Sequence, residues 1–205
     1  GDLNDYTQWW EWKIGADWKH PQGPGSSIEG KDDYPVVHIS YEDALAYCKW
    51  AKRRLPTETE WEAAAHGQMP GGVYTWGDDD RALPTKANTW QGTFPTKNTN
   101  EDGFAYVAPV ASFDPNSIGI YDMSGNVAEW CLDAYIDEYT PITWDLNPVF
   151  RNDTINEKVI RGGSWKDIAF FIEVATRTYE HQDTVRAFIG FRTALPHLGR
   201  SYDNF

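Results

Sequence analysis

Apolar residues recur at helical spacing directly after residue 40. The pattern predicts a helix that begins after Ser40, which forms an approximate capping box with Asp43. The residues on its apolar face are Ala44, Tyr47, Cys48 and Ala51. The basic run 52–54 is expected in the last turn, where cations complement the helix dipole, and Pro56 ends the helix. The spacing favours a buried Cys48 over a nucleophilic one.

A second helix is predicted directly afterwards. Thr57 and Glu60 form another capping box, and Gly67 ends the segment. Its apolar face consists of Trp61, Ala64 and Ala65. This compact helix pair resembles a DNA-binding arrangement, but the acidic charge of the chain argues against that role.

Short apolar runs predict three strands, at 36–40, 158–165 and 186–194. Between residues 70 and 130 helical periodicity disappears, and Gly, Pro, Asn and Asp recur among isolated aromatic residues. So long an irregular segment needs other means of support, and bound ions or buried aromatic contacts are the available ones.

Composition narrows the possible functions. The 205 residues suit one domain, and a net charge of −13 disfavours nucleic acid while making divalent cations plausible partners. No apolar run is long enough to cross a bilayer. The chain starts without an initiator Met, so we expect a mature or trimmed segment. Cys48 and Cys131 are too few for a disulfide scaffold or a thiolate metal site, and whether they pair is left open.

Oxygen-rich side chains concentrate in two parts of the irregular region. The first combines 87–90 with 100–104, and the second is 121–130, in which Asp122 and Glu129 flank a glycine turn. Calcium takes six to eight oxygen ligands, and loops can supply carbonyl groups as well as carboxylates. Spacing alone favours ordinary turns, because neither stretch fits an EF-hand loop. Hydrolase and phosphate-binding motifs are missing, and the five His are scattered.

Several motifs together resemble the formylglycine-generating enzyme (sulfatase-modifying factor) family. They are "ADWKHPQGP", "DALAYCKWAKRRLPTETEWEAAAHG", "YTWGD", "ANTWQGTFPTKNTNEDGFAYVAPVASFDPNSIGIYDMSGNVAEW", "RGGSW" and "GFRTA". The resemblance covers roughly residues 16–194. It implies an α+β fold rich in irregular structure, a variant of the C-type-lectin-like fold, as a single domain over 1–205 that lacks the N-terminal part of the family domain.

The resemblance also implies two calcium sites and so reverses the preference for ordinary turns. The first would use the side chains of Asn88 and Asp102, and the second those of Asp122 and Glu129. The carbonyl ligands would come from Thr89 and Phe104 in the first site and from Gly125 and Val127 in the second. Asp122 stands where the family usually has Asn, and its carboxylate is a competent replacement.

One departure from the family changes the functional interpretation. Relatives are expected to bind copper through two cysteines shortly after the "GGS" motif. Here Ser164 matches, Asp167 stands at the place of the first cysteine, and the shorter segment has no counterpart for the second. Because a carboxylate does not replace a thiolate for Cu(I), we expect no copper and a vestigial active-site region.

The C-terminal part most resembles the PorK/GldK-type lipoproteins of gliding motility and type IX secretion. This resemblance predicts a non-catalytic, calcium-stabilised scaffold at the periplasmic face of the outer membrane. The scaffold would assemble with protein partners, as a homo-oligomer or a ring, and would reach the membrane only through a lipid anchor outside the segment. The first alternative is a copper-dependent oxidase that converts a sulfatase cysteine to formylglycine. The second is a lectin-like module with Trp10, Trp18 and Trp90 as stacking residues.

Overall fold

The computed structural model describes residue 5 and residues 9–137 and 148–195 of the chain. It combines a few short helices and strands with long irregular segments, as the sequence predicts. The helices are α1 (Tyr41–Trp50), α2 (Glu58–His66) and α3 (Leu83–Lys86), and two 3₁₀ helices cover Asp80–Ala82 and Ala169–Ile172. The strands are β1 (Gly92–Thr93), β2 (Lys97–Asn98), β3 (Ala128–Ala134), β4 (Glu157–Arg161), β5 (Thr178–His181) and β6 (Ile189–Gly190). Within the described ranges no helix is long and apolar enough to cross a membrane.

Both predicted capping boxes are present. The Ser40 hydroxyl accepts from the backbone N–H of Asp43, and the Asp43 side chain accepts from the Ser40 N–H. Thr57 and Glu60 bond in the same reciprocal way at the start of α2. These contacts satisfy N–H groups that have no intrahelical partner, which explains why both helices begin where the sequence predicts.

The C-terminal end of α1 differs from the prediction. The helix ends at Trp50, and Lys52 has a φ of +55°, so the basic run 52–54 lies beyond the last turn. Tyr47 is half exposed, with its ring against those of Trp50 and Phe191. Cys48 is buried as expected.

A four-stranded sheet in the order β5-β4-β3-β6 forms the centre of the molecule. The β4 strand pairs antiparallel with β3 and β5, while β6 pairs parallel with β3. Glu129 on β3 lies opposite Arg161 on β4. Every residue of β3 is buried, so this strand separates two parts of the core. A cluster around Trp130 packs against α1, and a cluster around Trp61 includes Cys131 and Val159.

The strand predictions were only partly correct. The segment 36–40 is not a strand, because His38 has a φ of +56° and breaks the extended backbone. The strand predicted at 158–165 stops at Arg161, since the next two glycines adopt positive φ. Only Ile189–Gly190 of 186–194 pairs as a strand. The long buried β3 was not predicted.

Candidate functional site

Three loops meet at the end of the central sheet and form the candidate site. They are the 88–91 segment, the 122–127 loop and the loop that follows β4 from residue 162. Backbone hydrogen bonds join them: Gly125 N–H donates to Gly162 O (2.8 Å), Trp165 N–H to Asn126 O (2.9 Å), and Trp90 N–H to Asp167 O (3.0 Å). The loops therefore hold each other without regular secondary structure.

Two glycines allow the loop after β4 to approach its neighbours. Gly162 and Gly163 have φ of +90° and +63°. A Cβ on Gly163 would lie 2.7 Å from Phe171 O, and one on Gly162 would lie 3.0 Å from the Trp61 ring. The double glycine of the "GGS" motif thus lets the chain turn tightly over α2.

A hydrogen-bonded cluster occupies the middle of this loop. The Ser164 hydroxyl donates to Asp167 Oδ2 (2.7 Å), and Lys166 Nζ donates to Asp167 Oδ1 (2.5 Å). Ser164 is fully buried, whereas the Asp167 side chain keeps 13% of its exposure. Both carboxylate oxygens are therefore engaged within the loop, and Ser164 is held as a donor rather than an accessible nucleophile.

The residues present do not fit a thiolate copper centre. Asp167 offers hard oxygen ligands, whereas Cu(I) prefers soft sulfur ligands. The two cysteines of the chain are both buried and lie outside this loop. Burial raises the pKa of Cys48 to about 11 and raises the pKa of Cys131 well above its ordinary value, so both remain thiols at neutral pH. No step through copper is derived for this chain.

Aromatic side chains surround the loop and leave an accessible surface beside it. The Trp165 ring contacts Tyr106 (5.2 Å between centroids) and Trp10 (6.4 Å). Tyr106 and Trp10 are both more than 40% exposed. These rings offer apolar area to an extended peptide next to the partly accessible Asp167.

The residues expected to bind the first calcium ion come together. Asp102 accepts backbone N–H bonds from Thr89 (2.9 Å) and Phe104 (3.0 Å). The Asn88 amide donates from Nδ2 to Tyr106 O and Asn126 Oδ1, which fixes its orientation. Its Oδ1 is buried and has no partner in the described part of the molecule. A buried acceptor left unpaired beside a buried carboxylate fits a cation.

The residues expected at the second calcium site are differently engaged. Glu129 accepts from Trp61 Nε1 (2.8 Å) and from Nε and Nη2 of Arg192. Asp122 adopts a φ of +56°, and its carboxylate accepts the Ala111 N–H (2.7 Å). Burial raises the pKa of the Asp122 carboxyl, an effect opposed by the Ala111 N–H bond and by Arg192.

Sequence reasoning missed three residues that organise the site. Asn126 joins the two oxygen-rich loops through Asn88, and Arg161 and Arg192 bind glutamates more than 60 positions away. No local spacing reveals such long-range pairs.

In the described ranges no three His, Cys, Asp or Glu side chains form a metal cluster. Each expected calcium set has at most two of these, completed by amide or carbonyl oxygens.

Comparisons with known proteins identify first the fold class of this chain and then its family. The fold resembles PvdO from Pseudomonas aeruginosa, with a TM-score of 0.69 and 28% identity, covering 78% of this chain and 61% of that one. Treponema denticola variable protein 1 shares the fold at a TM-score of 0.66 and 21% identity, covering 78% and 70% of the two chains. The α+β variant of the C-type-lectin-like fold is thereby confirmed. The family described as "Sulfatase-modifying factor enzyme 1-like domain" matches residues 2–196, and the chain belongs to it.

Curated relatives carry two kinds of name. The formylglycine-generating enzyme of Thermomonospora curvata is 42% identical over 199 residues, covering 93% of this chain and 65% of the relative. The inactive C-alpha-formylglycine-generating enzyme 2 of Mus musculus is 43% identical, covering 94% and 59%. The chain thus spans between about half and two thirds of the length of such relatives.

These relatives correct the main functional prediction. Proteins 40–42% identical over most of the chain are named formylglycine-generating enzyme, which contradicts the non-catalytic secretion scaffold and favours the enzyme alternative. The prediction was wrong because it gave two loop positions more weight than the resemblance of the whole chain. The closer likeness to PorK/GldK-type lipoproteins is not shown.

Proposed function

We propose that this chain acts as a formylglycine-generating enzyme on a cysteine in a sulfatase-type peptide. The observation that supports the proposal most is the 42% identity to an enzyme of that name over 93% of the chain. The site is consistent with a peptide substrate, because exposed aromatic rings flank the partly accessible Asp167.

The overall chemistry sets what the site must accommodate. Conversion of a cysteine to formylglycine replaces the thiol by an aldehyde and removes two electrons from the side chain. With dioxygen as oxidant and two equivalents of a thiol as reductant, the products are the aldehyde, hydrogen sulfide, one disulfide and one water. In this chain Ser164 and Lys166 hold Asp167 in one orientation beside the aromatic surface. The proposal includes no copper ion held by a thiolate pair.

A peptide assay tests the function directly. The protein is incubated with a cysteine-containing sulfatase peptide, dioxygen and a thiol, with copper either supplied or chelated. We expect an aldehyde that reacts with a hydrazide probe in both arms, and no aldehyde from the same peptide with serine in place of cysteine. Asp167→Ala should lower the yield at least tenfold, while the exposed Arg81→Gln should not change it. If no aldehyde forms in either arm, the proposal is rejected.

We also propose that calcium binds at Asn88, Thr89, Asp102 and Phe104 and stabilises the loops beside the site. The unpaired Asn88 Oδ1 and the buried Asp102 carboxylate support this proposal. The expected second site at Asp122, Gly125, Val127 and Glu129 is untested and is not part of this proposal. The cell-envelope location, the lipid anchor and the assembly partners stay predictions, which rest on the resemblance to PorK/GldK-type proteins alone.

A further inference from the structure

Arg192, which follows β6, makes an unusually complete contact with Glu129. Its Nε donates to Glu129 Oε2 (2.5 Å), and its Nη2 donates to Glu129 Oε1 (2.7 Å). An arginine binds a carboxylate most strongly in this bidentate arrangement, in which the planar guanidinium donates two parallel N–H bonds. Glu129 is buried at 5% exposure, so water screens the contact little.

The same guanidinium reaches the other end of the oxygen-rich loop. Arg192 Nη2 also donates to the backbone carbonyls of Tyr121 (3.0 Å) and Asp122 (3.3 Å). One side chain therefore joins the residues before the glycine turn to Glu129 after it. A calcium ion shared by Asp122 and Glu129 would perform the same task.

Little of Glu129 remains for an ion. A carboxylate has about four acceptor positions, and three donors already occupy Glu129, the third being Trp61 Nε1 at 2.8 Å. A divalent cation bound to Glu129 would lie beside the guanidinium, and like charges in a partly buried site repel. Asp122 also faces this cluster, and its negative charge offsets part of that repulsion.

The first oxygen-rich cluster lacks such a substitute. Among the described residues Asp102 has no ion-pair partner, and Asn88 Oδ1 accepts no hydrogen bond. A cation would satisfy both groups at once. The two clusters therefore differ in what holds them, although their residue types look alike in the sequence.

We infer that Arg192 takes the place of the second calcium ion in this chain. The 121–129 loop is held by the guanidinium, and one calcium ion binds per chain, at Asn88 and Asp102. The single-ion count rests on the calcium proposed above, whereas the role of Arg192 does not.

Calcium titration of chelator-stripped protein tests the inference by isothermal calorimetry, with Ca²⁺ alone as the probe. We expect about one ion per chain in the unmodified protein and in Glu129→Gln, and none in Asp102→Asn. Arg192→Met should expose the Asp122 and Glu129 carboxylates and create a second site, so that about two ions bind. Arg192→Lys keeps a cation there and should bind one ion with a lower melting temperature.

Each result decides between the alternatives. Two ions in the unmodified protein, with one lost in Glu129→Gln, would overturn the inference. So would the loss of binding in Glu129→Gln together with its retention in Asp102→Asn. If the unmodified protein binds no ion, the first site fails, and a new site in Arg192→Met still supports the role of Arg192. Should Arg192→Met fail to fold, Glu129→Gln decides the matter.

Discussion

Asp133 is a fully buried carboxylate whose ionisation opposes folding. Its oxygens accept the backbone N–H groups of Glu58 (2.7 Å) and Phe150 (2.8 Å). Burial nevertheless raises the pKa of Asp133 from 3.8 to about 6, because removal from water penalises the charged form more than these bonds favour it. A folded-state pKa above the unfolded one means that the native state binds the proton more tightly, so stability falls as pH rises from about 4 through about 6.

The replacement Asp133→Asn should remove this pH dependence. A rise of about two pKa units corresponds to roughly 3 kcal/mol. We expect the unfolding free energy of the unmodified protein, relative to the variant, to fall by up to that amount between pH 4 and pH 7. Urea unfolding at several pH values measures it. The Asn amide has one acceptor oxygen where the carboxylate has two, so the variant loses a hydrogen bond at every pH. If the unfolding free energies of the two proteins change with pH in parallel, the prediction is contradicted.

The capping box of α2 allows the contribution of one helix cap to stability to be tested. The buried Thr57 hydroxyl accepts the Glu60 N–H (3.1 Å), and Thr57→Ala leaves that donor unpaired. We expect a loss of about 1 kcal/mol in the free energy of unfolding. Thr57→Ser keeps the hydroxyl and should cost less. Equal losses in the two variants would show that the methyl group, not the cap, matters.

Arg161, the last residue of β4, fastens this strand to α2 and to Val174. It is 1% exposed and donates to Glu58 (2.5 Å), Glu62 (2.6 Å) and Val174 O (2.5 Å). Arg161→Met leaves these acceptors without their donor, and breaking a buried pair costs about 3–5 kcal/mol. Because Arg177 also binds Glu58, we expect about 3 kcal/mol in chemical unfolding. A loss below about 1 kcal/mol would argue against the fastening role.

Local chemistry explains which elements the sequence predicts. Reciprocal caps lie within four residues, so Ser40 and Thr57 marked both helix starts correctly. The buried β3 has no alternation of apolar and polar residues, since its Glu129 and Asp133 are buried with distant partners, and it was missed. His38 illustrates the converse, because a φ of +56° ends an apolar run that otherwise suits a strand.

The candidate site was predictable only in part, for the same reason. The loops around Asn88, Asp102 and Ser164 were found through the family motifs. Their mutual contacts, and the guanidinium of Arg192 over Glu129, depend on chain segments brought together by the whole fold. The prediction of a non-catalytic scaffold was wrong for a related reason. It rested on one loop, whereas the family relationship extends over residues 2–196.

Calcium dependence is the property that the whole molecule should show. Long loops with little backbone pairing and a net charge of −13 leave stability dependent on cations. An ion that binds only the folded state adds about 2.7 kcal/mol when its concentration is one hundred times its Kd. For a domain of this size we therefore expect excess chelator to lower the melting temperature by about 5–10 °C.

Two controls separate a specific site from general screening of negative charge. Sodium chloride at matched ionic strength should recover only a small part of the lost melting temperature, because it screens repulsion without coordinating Asn88 or Asp102. Asp102→Asn should melt at the same temperature with and without chelator, near the chelated value of the unmodified protein. If salt alone restores the full melting temperature, the cation acts through charge screening and the first calcium site is not needed to hold the loops.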